Sequence, residues 1–144
     1  MEELQRIGER GWLSSLAPLL SEALYQQGRY DEAMEYAEVG REAANPDDAS
    51  AQFWWRSLAA KVLARRGEFG EAERLAREGI DFAMSTDEIN HQGHALMDLA
   101  EVLRLAGRPE EAAEATRRAI ERYDLKGATV SAEQARQALA DLTA

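Results

Sequence analysis

The chain has 144 residues, 45% of them hydrophobic and 31% charged, a composition that suits one folded unit with a core of its own and excludes a disordered segment. Its 27 acidic and 17 basic side chains give a formal net charge of −10, which disfavours nucleic acid as a partner because such a surface repels a phosphate backbone. With no cysteine, no apolar signal core over Met1–Arg10 and no run of eighteen apolar residues, disulfides, thiolate chemistry and membrane spans are excluded and a cytoplasmic chain is expected.

Residues 1–11 carry Leu4 and Ile7 among charges and end in Gly8 and Gly11, which stop a helix. They read equally as the end of a preceding repeat or as an N-terminal cap. The first full unit, 12–45, opens at Trp12, with Leu13, Leu16, Ala17, Leu20 and Leu24 at helical spacing and Ser14 or Ser15 as cap, and its first helix ends at Gly28. Its partner helix runs from about Tyr30 to Ala44, with Tyr30, Ala33, Met34, Ala37 and Arg41 on one face. Asn45-Pro46-Asp47-Asp48 then forms a turn that also caps the next helix.

Unit two, 46–85, is the most aromatic, with Phe53, Trp54 and Trp55 opening a helix whose inward stripe is Trp55, Leu58, Ala59, Val62 and Leu63. After Gly67, its partner from Phe69 to Met84 turns Ala72, Leu75, Ala76, Gly79, Ile80 and Ala83 inward, and Ser85-Thr86-Asp87 supplies the next cap. In unit three, 86–124, Leu96, Leu99, Ala100 and Leu103 repeat the pattern before Gly107, and Pro109 takes the favoured first helical position. Ala112, Ala115, Ala119, Ile120 and Tyr123 face inward. The segment 125–144 gives a last helix from about Ala128 to Leu142, with Ala135, Ala138, Leu139 and Leu142 inward and Gln134 among its outward residues; it reads as a C-terminal cap. The total is seven helices and no strand.

These units share one recurrence. Gly28-Arg-Tyr-Asp-Glu-Ala33 returns as Gly67-Glu-Phe-Gly-Glu-Ala72 and Gly107-Arg-Pro-Glu-Glu-Ala112, 39 and then 40 residues on, and that period signals stacked helix pairs. Small residues recur inside the second helices at Gly40, Gly79 and Ala119, where close helix packing is expected. With Leu20/Ala59/Leu99, Ser21/Ala60/Ala100, Leu24/Leu63/Leu103, Tyr30/Phe69 and Ala33/Ala72/Ala112, the chain resembles the tetratricopeptide repeat family from about Leu13 to Asp124. It departs from that family in its longer period, in Pro109 replacing the third turn's aromatic, and in having only Pro46 as a repeat-ending proline. The resemblance implies an all-α, right-handed superhelix of antiparallel helix pairs, the first helix of each pair lining the concave side.

On that register the concave positions are Glu22, Tyr25 and Gln26, then Trp54, Lys61 and Arg65, then His94, Met97, Asp98, Glu101 and Arg104. Trp54 stands out: with Trp55 taken as inward, a second tryptophan suits an anchor for a partner, against the plainer reading that it covers the neighbouring helix edge. Lys61, Arg65 and Arg66, with Arg56, form the one basic stretch, fit to hold a carboxylate-rich peptide or phosphate unless it is a solvated face offset by Glu68, Glu71 and Glu73. Chaperone-binding members of the resembling family grip a C-terminal carboxylate with lysine, asparagine and arginine. Here Pro18, Glu22, Leu58, His94 and Asp98 occupy those positions, so that clamp is absent.

His91 and His94, three apart and each four residues from Asp87 or Asp98, make a weak metal pattern better read as two surface histidines. Phosphate loops and nucleophile elbows are missing, and Glu71, Glu73, Glu78, Arg74 and Arg77 have the spacing of helix-surface ion pairs. The sequence therefore predicts a non-catalytic module without cofactor or metal that binds a protein or peptide in its groove. The alternative is a structural repeat that self-associates through end faces such as Trp12, Leu13 and Leu16. Glu9–Ser14, Trp55–Ser57 with Lys61–Gly67, and Ala100–Gly107 further resemble the C-terminal repeat regions of large bacterial signalling proteins, which implies a docking or sensing arm.

Overall fold

The computed structural model describes residues 16–144. The expectations placed on residues 1–15, including the cap serines Ser14 and Ser15 and the Trp12 and Leu13 end face, lie outside them. Seven helices make up the described chain: α1 (16–26), α2 (Tyr30–Ala43), α3 (Ala49–Arg65), α4 (Phe69–Met84), α5 (Ile89–Leu105), α6 (Pro109–Lys126) and α7 (Thr129–Thr143). Consecutive helices pack antiparallel, and α3 also touches α5, so the first helices of successive pairs lie side by side. The result is a right-handed superhelix of helix pairs with α7 across its C-terminal end.

The recurring glycines set this geometry. Gly28, Gly67 and Gly107 have φ of +78°, +81° and +76°, the left-handed region that residues with a Cβ seldom adopt. After each, the next backbone N–H reaches back to the carbonyl of Leu24, Leu63 or Leu103 at 2.9 Å, and the glycine N–H itself bonds three residues back. This paired closure satisfies carbonyls that the helix end would leave orphaned and fixes the direction in which the second helix departs. Gly127, at φ +76°, closes α6 in the same way.

The core follows from the apolar stripes. All six inward residues expected on α4, from Ala72 to Ala83, are buried. Alanine dominates the contacts, which lets helix axes approach closely, and Gly79 does the same: a Cβ there would lie 3.2 Å from Ser57 Oγ. Four expectations need correction. Phe53, not Trp55, is the fully buried aromatic of α3, and both tryptophans are half-buried. Gly40 rather than Arg41 is the buried end of the α2 face, and Arg41 lies over the Trp55 ring at 5.5 Å. Leu20 is 42% exposed, unlike its equivalents Ala59 and Leu99, because no preceding pair covers it among the described residues. The Ser85–Asp87 cap of α5 is also displaced: Thr86 Oγ1 accepts from Glu88 N at 3.2 Å, and the N-cap position falls on Glu88 with no side-chain bond.

Asp48 does cap α3, its carboxylate accepting from Ala51 N at 3.1 Å. Asp48→Ala removes that acceptor and is expected to cost about 1 kcal/mol in chemical denaturation. No loss of stability would mean that water replaces the cap.

Candidate functional site

The first helices place side chains in rows across the concave face. Glu22 on α1, Lys61 on α3 and Asp98 on α5 form one row; Tyr25, Arg65 and Glu101 form the next, about one turn further along the same helices. Between these rows and α7 lies a cavity of about 410 Å³, a size that suits a small ligand or an inserted side chain. Nine of the eleven residues expected on the concave side line it: Glu22, Tyr25, Gln26, Lys61, Arg65, His94, Met97, Asp98 and Glu101. The other two are placed elsewhere. Arg104 lies in an adjoining cavity of about 410 Å³ that shares Met97 and Glu101 and is otherwise mostly apolar, with Ala100, Pro109, Thr116, Ala138 and Leu142. Trp54 lies in a separate hollow of about 360 Å³ with Pro18, Leu19 and Glu22, while its ring packs 4.7 Å from Phe53 and 5.6 Å from His91.

The basic stretch is not a free anion site: Arg65 and Arg66 are exposed, Arg56 and Lys61 are enclosed, and all four are paired. Each of its cations is matched by a carboxylate on a different helix. Arg56 bonds Glu78 on α4 at 3.2 Å, Arg66 bonds Asp31 on α2 at 2.8 Å, and Arg65 bonds Glu101 on α5 at 2.9 Å. Lys61 is the most enclosed, with 5% of its side chain exposed. Its ammonium bonds Glu22, sits 3.2 Å from Asp98 and lies 4.8 Å from the Tyr25 ring centroid. Burial opposes its charge, but Asp98 and Glu22 outweigh burial and hold its pKa above the ordinary lysine value. Burial pushes the Asp98 carboxyl the other way, up to about 6, against the pull of Lys61 and with the nearby charge of Glu22 adding to the rise. The two shifts are consistent, because one ammonium serves two acids: the base gains two partners and each acid gets a share of one.

The second row is also closed by bonds among its own members. Tyr25 Oη accepts from Arg65 Nε at 3.0 Å and donates to Glu101 Oε1 at 3.3 Å, while Arg104 bonds the same carboxylate at 2.6 Å. Tyr25 is therefore buried beneath Arg65 rather than open to a partner; burial outweighs the Arg65 bond and raises its pKa to about 12. Burial also opposes the Glu101 charge, yet the arginines hold that carboxyl below its usual range.

The histidines are built in as well. His94 Nδ1 is 2.7 Å from the Tyr123 hydroxyl, and His91 Nδ1 is 3.4 Å from Ser50 Oγ. Burial, with His91 nearby, keeps the His94 pKa below its usual value, and burial raises that of Tyr123. A neutral phenol and a neutral imidazole therefore share one hydrogen bond. Among the described residues no group of three or more potential ligands is placed to hold a metal ion, and no helix is long and apolar enough to cross a membrane.

Sequence reasoning missed the far wall. Tyr123 was expected only as core, and Ser131, Gln134 and Ala135 of α7 line the cavity, Gln134 exposed as expected but on the groove side. Treating α7 as the first helix of an incomplete fourth pair would have placed them, since first helices line this face. Gly93 was missed too: a Cβ there would meet Tyr123 Cε1 at 2.5 Å, so the ring that reaches His94 lies directly on the α5 backbone.

Stacked helix pairs closed by left-handed glycines, with a polar concave groove built from successive first helices, define a helical-repeat solenoid of the kind that scaffolds interactions. Two models of the tetratricopeptide repeat match residues 19–43, and 54–78 with 93–118, together more than half of the chain. The chain belongs to the tetratricopeptide repeat family. A crystal structure of a tetratricopeptide-like protein from Chlorobium tepidum TLS superposes with a TM-score of 0.64 at 21% identity, covering 94% of this chain and 98% of that one. No curated protein matches the chain. Repeats of this family are in general non-catalytic modules for protein–protein interaction.

Proposed function

We propose that this chain is a non-catalytic docking or regulatory arm of a cytoplasmic bacterial signalling protein, taking a peptide or protein segment in its concave groove. On this reading 12–45, 46–85 and 86–124 are its repeats and 125–144 its cap. The observation that carries it is the pair of adjoining cavities on the concave face, one polar and one apolar, joined at Met97 and Glu101. An extended segment spans such a surface with alternate side chains in alternate pockets. The test is capture of partners from a bacterial lysate on the immobilised chain, comparing wild type with Met97→Glu and Trp54→Ala. A partner held by wild type and lost with Met97→Glu supports the groove; one lost only with Trp54→Ala moves the site to the hollow beside α1. Recovery unchanged by both variants removes the groove from the account.

A second reading, self-association, is favoured by Leu19 and Leu20, which are 65% and 42% exposed on α1. It predicts a solution mass above one chain that falls to one chain with Leu19→Lys.

A further inference from the structure

Within the groove, charge is distributed unevenly. The polar cavity is lined by three carboxylates, Glu22, Asp98 and Glu101, against two permanent cations, Lys61 and Arg65. Glu101 is matched twice over, by Arg65 and by Arg104 from the adjoining cavity. The other row has the opposite balance, since Glu22 and Asp98 divide the single ammonium of Lys61. One negative charge at this row is therefore unbalanced, on side chains that are only 37% and 15% exposed. His94 does not offset it, because its imidazole is held uncharged.

We propose, on the basis of the groove reading above, that the segment bound here inserts a lysine or arginine side chain into this cavity, its cationic head meeting Glu22 and Asp98. The apolar side of the same cavity fits the stem. Met97, half-buried, lines it, and long cationic side chains pack their methylenes on such a surface while the head finds a carboxylate. Entry of one cation completes the row: two acids then face two bases, and the burial penalty on Asp98 is relieved. The adjoining apolar cavity at Met97, Ala100, Thr116 and Leu142 takes an aliphatic residue beside the basic one. The net charge of −10 favours the same partner at long range, but the specificity resides in the row.

The test uses short degenerate peptide libraries with the central residue fixed as Lys, Arg, Glu or Leu, passed over the full immobilised chain at physiological ionic strength. Lys- and Arg-centred libraries are expected to be retained about tenfold better than the other two, the discrimination a desolvated charge pair supplies. Sequencing of the retained pool is expected to show aliphatic enrichment next to the fixed residue. Asp98→Asn and Glu22→Gln abolish the preference, whereas Glu35→Gln, on the exposed outer face of α2, leaves it intact. Helical circular dichroism and a cooperative melt establish that each variant is folded; if Asp98→Asn is not, the more exposed Glu22→Gln decides. An equal loss with Glu35→Gln overturns the proposal in favour of general electrostatic attraction. Retention that ignores the central residue but is lost with Met97→Glu leaves the groove standing and overturns the charged pocket. No retention of any library by wild type overturns both.

Discussion

Lys61→Met lowers the stability of the chain at neutral pH by about 3 to 5 kcal/mol, the usual loss when one partner of a buried charge pair is removed. The methionine keeps the stem and its packing, so the loss comes from leaving Asp98 and Glu22 side by side with no cation between them. The pH dependence follows from the direction of the Asp98 shift. Its folded pKa is already raised, to about 6, and removing Lys61 raises it further. A raised carboxyl binds more protons folded than unfolded, so its contribution to stability is present below the unfolded value and is lost as pH rises through the folded one. The gap between wild type and Lys61→Met is therefore widest near pH 7 and narrows towards pH 4, where Asp98 is protonated in both. Urea denaturation at several pH values measures this. The double variant Lys61→Met, Asp98→Asn is expected to recover most of the loss; if it is as unstable as the single one, packing rather than charge is responsible.

Gly93→Val is the second large effect. Any Cβ at 93 would stand 2.5 Å from Tyr123 Cε1 and 2.8 Å from Cζ, and that ring is 2% exposed with nowhere to move. Helix propensity acts the other way, since replacing a mid-helix glycine gains a few tenths to about 1 kcal/mol. Overpacking costs roughly 1 to 3 kcal/mol, and displacing the ring breaks the His94–Tyr123 hydrogen bond, worth about 1 kcal/mol. Sterics win, and a net loss of about 2 to 3 kcal/mol is expected in a thermal or urea melt. The same melt on Gly93→Val, Tyr123→Leu separates the causes: partial recovery places the clash at the ring, and no recovery refutes it.

The two predictions differ in how much of them the sequence contained. A buried lysine is not visible on its own helix, where Arg56, Lys61, Arg65 and Arg66 look like one basic stretch. Their partners come from α4, α1 with α5, α5 and α2, 22 to 39 residues away in the chain, and nothing local announces which carboxylate will arrive. Arg74 and Arg77 show the contrast: their partners Glu71, Glu78 and Glu73 lie three or four residues away on α4 itself, so spacing alone revealed them. The aromatics of α3 misled for a related reason. Three in a row cannot all face inward, and which one does depends on the helices packed against α3: Phe53 lies by His91 of α5, and Trp55 by Gly40 and Arg41 of α2.

By itself the sequence determined the architecture, because the physics there is local and periodic. Left-handed glycines end helices at fixed intervals, apolar residues at helical spacing give each helix one buried face, and small residues in the second helices let the pairs stack. Tertiary structure alone decided the character of the groove. Which charges cancel, which hydroxyl meets His94 and which row keeps an unmatched negative charge all depend on side chains from separate helices, and their distances are fixed only once the superhelix has brought α1, α3, α5 and α7 side by side.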